Sequence, residues 1–192
     1  MLSLEEIFYI AEKKIQDPLF RKNKGLGNEV GYYIFDYPAE QELFVRERIE
    51  SIRKKNENSD DEYKIVVFDL YDITINILKD KGYLEKCFEF EKKKGFDRIT
   101  KSVGNMLKIT SSDSLLIQHI KKNTPEKSVI FITGIGKSYP ILRSHTLLNN
   151  LHQVIDRVPV VMFYPGSYDG QELVLFGKIK DDNYYRAFKM VD

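Results

Sequence analysis

The segment Thr133-Gly-Ile-Gly-Lys-Ser138 has the strongest look of chemistry in this sequence. A Gly-Lys-Ser step directly after an apolar strand resembles the end of a phosphate-binding P-loop, where backbone amides cradle phosphates and the hydroxyl holds Mg²⁺. The full motif requires a glycine five positions before Gly136, and that position is Phe131. The loop is therefore too short to wrap a triphosphate, and Pro140 biases Tyr139 away from helical geometry. The plain reading is a tight strand-to-helix turn that uses glycine's access to positive φ. The richer reading is a degenerate nucleotide site formed by Thr133, Gly134, Gly136 and Lys137.

Asp36 and Asp69 each end an apolar run with Phe-Asp. Ligands of open parallel sheets bind beyond the carboxyl ends of the strands, so the two carboxylates could meet a cation there. Helix capping or turn formation is the preferred reading of both. Farther along, Arg143 offers a planar donor fork, and His145 and Asn149 are i,i+4 neighbours on a helical pattern. Ser144 and His145 are adjacent, hence about 100° apart on a helix and not poised as nucleophile and base; Ser144 reads as an N-cap or exposed hydroxyl. His119, His145 and His152 lack the i,i+4 spacing by which two imidazoles share a metal. Tyr164, Tyr168, Tyr184 and Tyr185 crowd the last third of the chain, either as interface aromatics or as core residues with a wet edge. No catalytic set, metal site or cofactor is expected.

Periodicity supplies the elements that must position these residues. Ser3 and Glu6 have capping-box spacing ahead of a helix over 3–16. Residues 21–28 form a polar loop with two glycines. Residues 31–36, 64–70, 128–133, 159–164 and 173–176 are short apolar runs that read as strands. Pro38 opens a helix that reaches a polar linker at 54–61, and helical patterns cover 72–79, 83–93, 96–107, 113–122 and 140–151. Ser111 and Ser112 are cap candidates for the fourth of these. Residues 165–170 carry turn chemistry. Only eight residues separate the last two runs, too few for a helical crossover, which predicts an antiparallel hairpin. The expected fold is α/β: a three-layer sandwich with a mostly parallel, mixed sheet of about five strands, in a single domain over 1–192.

Composition narrows the function classes. Lys plus Arg is 30 against 29 for Asp plus Glu, a net charge of +1 over 192 residues. That balance argues against a generic duplex-DNA binder, whose affinity rests on clustered cations. The single cysteine, Cys87, has no intrachain partner, so a reducing cytoplasm is the expected setting. Neither a signal peptide nor an apolar run of about 20 residues is present, so no membrane association is expected.

The stretch Phe131-Ile-Thr-Gly-Ile-Gly-Lys-Ser-Tyr-Pro-Ile-Leu-Arg-Ser-His-Thr-Leu-Leu-Asn-Asn-Leu151 resembles the signature of the BrxB family. Residues 158–170, Leu175-Phe-Gly177 and 181–188 extend the resemblance. It implies a component of BREX (bacteriophage exclusion) defence systems, which also contain a DNA methyltransferase, a large ATPase and the alkaline-phosphatase-like protein PglZ. The implied role is a non-enzymatic accessory or scaffolding subunit that binds other BREX proteins, first among them a PglZ-like partner. The family brings no agreed catalytic residues to transfer. Two rival readings remain: a degenerate P-loop-like domain using Asp36, Asp69, Gly134, Gly136 and Lys137, and a subunit that contacts nucleic acid weakly, within the complex. A compact apolar pocket favours the first rival, a basic stripe the second, and a flat aromatic patch the scaffold.

Overall fold

Local chemistry starts the first helix as its spacing predicts. In α1 (Leu4–Gln16) the Glu6 N–H donates to Ser3 Oγ at 3.2 Å, and the Ser3 N–H donates to Glu6 Oε2 at 2.7 Å. Asp17 then accepts the Leu19 N–H, and Pro18 takes the first position of the one-turn α2 (Pro18–Arg21). The computed structural model describes residues 2–22, 31–111, 113–181 and 186–191. Most of the polar loop expected at 21–28, together with Ser112, Tyr184 and Tyr185, lies outside the described residues.

The chain continues through β1 (Tyr32–Tyr37), a 3₁₀ turn at Ala39–Gln41, α3 (Glu42–Glu57), β2 (Lys64–Asp69) and α4 (Leu70–Asp80). Next come α5 (Leu84–Lys94), α6 (Phe96–Met106), α7 (Leu115–Lys122), β3 (Ser128–Thr133), α8 (Ile135–Ser138) and α9 (Ser144–His152). The C-terminal part holds β4 (Val160–Tyr168), β5 (Leu173–Leu175), β6 (Ile179–Asp181) and β7 (Phe188–Lys189). The sheet runs β2-β3-β4-β1-β7 with every neighbour parallel, while β5 joins β4 and β6 joins β5 antiparallel. This is the expected mixed, mostly parallel α/β sheet with a C-terminal hairpin. The extra strands β6 and β7 are three and two residues long, too short to leave a periodic signal.

Alternation along the strands divides the core into two layers. Ile130 and Ile132 of β3, Val160 and Met162 of β4, and Ile34 of β1 face a cluster built with Ile73, Ile117, Ile120 and Leu151 from α4, α7 and α9. Val129, Phe131, Val161, Phe163 and Phe35 face the opposite way, onto Phe8 and Ile15 of α1 and Val45 and Ile49 of α3. The topology explains this split. From β1 the chain passes over β4 and β3 to reach β2, then returns strand by strand, and crossovers of one hand put outward and return helices on opposite faces.

Three local expectations need correction. The helix expected over 140–151 starts only at Ser144, because Arg143 (φ −108°, ψ 139°) is extended, and the short α8 lies before that span, ending ahead of the extended Tyr139 (φ −69°, ψ 138°). The turn expected at 165–170 begins later, since β4 runs through to Tyr168. Pro165 is tolerated there because β3 pairs with β4 only as far as Met162, so its missing N–H costs no ladder bond. The reversal falls at Asp169, whose Oδ1 accepts the Gln171 and Glu172 N–H groups. Finally, α7 starts at Leu115 after Ser114, and Ser111 instead accepts the Asp113 N–H.

Candidate functional site at the carboxyl ends of the strands

The sheet's register sets Asp69 directly beside Thr133 on neighbouring strands. Leaving β2, Asp69 caps α4, its Oδ1 accepting the Tyr71 and Asp72 N–H groups at 3.0 and 3.1 Å. Its other oxygen lies 2.6 Å from Lys137 Nζ and receives the Thr133 hydroxyl at 3.4 Å. Lys137 also sits 5.4 Å from the centre of the Tyr71 ring and 3.5 Å from Asp72 Oδ1. The glycines of the loop have equally local reasons. Gly134 has φ +76°, and a Cβ there would lie 2.5 Å from Asp69 Oδ1; a Cβ on Gly136 would lie 2.9 Å from the Phe176 ring. A carboxylate therefore stands where a phosphate-binding loop would need its anion, and it holds the lysine.

Asp36 and Asp69 do not come together. Two strands, β4 and β3, separate β1 from β2, so the carboxylates are about three strand spacings apart, roughly 14 Å. A shared cation is ruled out by the strand order. Asp36 Oδ2 accepts the Tyr168 N–H at 3.1 Å and lies 3.6 Å from Lys189 Nζ. The crevice beside β1 is thus closed by the chain's own hairpin. Among the described residues, no three His, Cys, Asp or Glu side chains could hold a metal ion.

Two of the four tyrosines resolve toward the core. Tyr164 and Tyr168 are each 1% exposed, which corrects the interface reading for this pair. The Tyr168 hydroxyl donates to Ala187 O at 2.7 Å and ties the hairpin to the last strand. Burial also raises the pKa of the Cys87 thiol, which makes it a poor nucleophile. His152 packs on Tyr32 with ring centres 3.8 Å apart, and desolvation lowers its pKa.

Around α9 the polar residues separate by role. Arg143 is exposed at the N-cap and makes no ion pair or side-chain hydrogen bond among the described residues. Ser144 is neither the cap nor an exposed hydroxyl: it is the first helical residue, 7% exposed. His145 is half-buried and Asn149 exposed on the same helix. Asn150, which sequence reading passed over, is buried and donates to Ile109 O at 2.7 Å. Also missed were the exposed aromatics Tyr71 and Phe176. Phe176 is held at φ +56° in the β5–β6 turn, a conformation bulky residues rarely adopt. The Phe-Gly pair between two apolar triplets was the available signal for that turn.

Two depressions flank Arg143. A cleft of about 150 Å³ is lined by Ile135, Tyr139, Leu142, Arg143, Ser144, Tyr164, Leu175, Ile179 and Lys180. It is well below the roughly 300 Å³ at which ligand pockets begin. On the other side, an open groove of about 840 Å³ is bordered by Lys101, Lys108 and Arg143, with Asp97. No helix among the described residues is long and apolar enough to cross a membrane.

Comparison with known proteins places this site in a family. The family model described as BREX protein BrxB matches residues 66–190, which includes β2 from its third residue, β3, β4 and both clefts. A BREX protein BrxB of Bacillus cereus (strain H3081.97) is 52% identical over 179 residues, covering 93% of each chain. A BREX protein BrxB of Escherichia coli O9:H4 (strain HS) is 32% identical over 180 residues, covering 94% of this chain and 88% of its own. No solved structure matches. With a family model over more than half its length and identity of this extent across nearly all of it, the chain belongs to the BrxB family.

Proposed function

We propose that the protein is a non-enzymatic accessory subunit of a BREX-type phage-defence system, docking another BREX protein through the carboxyl-terminal edge of its sheet. The family supports the coarse role, since its members carry the name of the BREX system. One structural observation carries the finer reading. Groups that could serve catalysis, namely Asp36, Asp69, Thr133 and Lys137, are engaged with one another or with the backbone, while Tyr71, Phe176 and Arg143 are exposed along the same edge. Aromatic and arginine side chains are enriched where proteins bind each other. A positive-φ phenylalanine held against Gly136 is the kind of locally strained feature that clusters at functional sites.

A PglZ-like protein is the partner this reading names first. Affinity purification of the tagged protein from cells expressing the whole defence operon tests it. Stoichiometric recovery of that partner, reduced by Phe176→Ser, is the expected result. Recovery of no operon protein would sink the docking reading. A nucleotide site is disfavoured by the carboxylate in the loop: calorimetry with Mg-ATP or Mg-GTP is expected to show no tight binding, and micromolar affinity abolished by Lys137→Ala would reverse that. The groove bordered by Lys101, Lys108 and Arg143 gives the nucleic-acid reading its own observation. Submicromolar duplex binding in about 150 mM salt, lost in a Lys101→Gln/Lys108→Gln variant, would favour it over docking.

A further inference from the structure

Three cations from separate places in the chain meet at the open groove beside α6. Lys101 stands on an exposed face of that helix, Lys108 follows its end, and Arg143 comes from the 140–146 segment, the groove's other border. None of the three makes an ion pair or side-chain hydrogen bond among the described residues, whereas Arg46, Arg48, Arg53 and Lys127 are all paired with glutamates. Asp97, at the far end of α6, is the one acidic residue among those lining the groove. Like charges gathered in this way repel, and an anionic ligand removes that repulsion. Lys108 adds a second, independent sign. It lies just past the end of α6 in the left-handed conformation, φ +52°, where helices usually place a glycine. Glycine would make the same reversal without steric cost, so folding does not account for a lysine there. Strained residues of this kind cluster at binding sites.

We propose that this groove holds the sugar–phosphate backbone of a single nucleic-acid strand without reading its bases. Lys101 and Lys108 are seven residues apart, about 10 Å along a helix axis, which is the rise of roughly three phosphates in one strand. At about 840 Å³ the groove admits such a backbone, unlike the cleft of about 150 Å³ on the other side of Arg143. Between the cations, Asn105, Thr110 and Thr146 supply amide and hydroxyl donors for phosphate and sugar oxygens. No aromatic side chain lines the groove to stack a base, so the contact is independent of sequence. A duplex fits less well, because three cations fall short of the roughly six to ten phosphate contacts that duplex binders make. An acidic polypeptide would match the charge, but protein interfaces draw their energy from aromatic and apolar anchors in desolvated pockets. The groove offers only Ile109, Pro140 and Ile141 for that purpose. The inference goes beyond the docking role and does not rest on it, since neither lysine belongs to the edge that carries Tyr71 and Phe176.

Fluorescence anisotropy of the full-length chain with an end-labelled oligothymidylate of about 12 nucleotides tests it. Micromolar binding in about 50 mM salt is expected, with log affinity falling against log salt at a slope of about −2, or roughly −0.7 for each of three phosphates. An oligoadenylate of the same length should bind within about threefold, and a duplex about tenfold more weakly. Lys101→Gln and Lys108→Gln should each weaken binding several-fold and flatten the slope by about 0.7. Lys108→Gly is the sharper variant: it relieves the left-handed backbone, so it should melt no lower than the parent chain while losing affinity as Lys108→Gln does. No binding at low salt, a slope that both glutamine variants leave unchanged, or equal binding of the duplex would each overturn the proposal. Displacement of the strand by an equal concentration of hexaglutamate would assign the groove to an acidic polypeptide instead. Partner recovery keeps this test apart from docking. Lys101→Gln/Lys108→Gln should lose the strand and retain the operon partner; loss of both would make the groove part of the protein interface and overturn the proposal. Failure of docking leaves strand binding by the isolated chain standing.

Discussion

Lys137 and Arg143 lie six residues apart on one connection, yet the fold treats their charges in opposite ways. Lys137 belongs to the Gly-Lys-Ser step and ends 2.6 Å from Asp69, under an exposed tyrosine. Arg143 belongs to no catalytic motif and ends exposed, beside a cleft and without an anionic partner among the described residues. The half with the suggestive motif is structural. The half without one has donors to spare. Spacing that looks catalytic is informative only once the neighbours that would consume it are known, and here the consuming neighbour, Asp69, lies 68 positions before Lys137 in the chain.

Glycine substitutions should break the structural half most severely. A Cβ on Gly166 would lie 2.1 Å from the Val174 carbonyl oxygen, so Gly166→Ala forces β5 away from β4. The expected cost is about 3 kcal/mol, the upper end for overpacking, read as a fall in denaturation midpoint. A neutral outcome would mean the hairpin is not packed as described. Gly134→Ala adds a positive-φ penalty of about 1–2 kcal/mol to a collision with Asp69.

Asp69→Ala tests the same half from the other side. It uncaps α4 and leaves partly buried Lys137 with only the more distant and more exposed Asp72 carboxylate, for a loss of about 2 kcal/mol, or roughly 4–8 °C in a chain of this size. If the motif were instead a nucleotide site, this variant would gain phosphate affinity and keep its stability; calorimetry and thermal melts together separate the two.

A smaller effect is expected from acid at His152, behind α9. Its folded-state pKa is lowered by burial, so in mildly acidic solution the unfolded chain binds this proton more readily than the folded one. Stability should be complete above the ordinary histidine range and decline as pH falls through it. Thermal melts between about pH 7.5 and 5.5 should show this decline, and His152→Gln should flatten it. A decline of the same steepness in the variant would remove His152 as its source.

The smallest stability effect belongs to the open half. Arg143→Ala should change stability by no more than about 0.5 kcal/mol, yet abolish partner recovery or phage protection. His145→Ala, half-buried on the same helix, is expected to follow it. A large fall in melting temperature for Arg143→Ala would show that the arginine is structural after all. Full protection by both stable variants would remove this end of α9 from function.

Local chemistry was legible in the residues wherever one element depends on its own neighbours. The Ser3–Glu6 box, the apolar runs of β1 to β4, the crossover helices and the antiparallel return of β5 all follow from spacing, because hydrogen bonding and alternation act over a few residues. Membership of the family was legible too, in the residues from Phe131 onward. What tertiary structure alone decided was which side chains meet. Strand order kept Asp36 from Asp69 and gave each a different partner. The same folding buried Tyr164 and Tyr168, set Phe176 over Gly136, and left Arg143 and Ser144 facing a cleft. Those outcomes depend on contacts between residues far apart in the chain, and no local periodicity encodes the order in which parallel strands assemble.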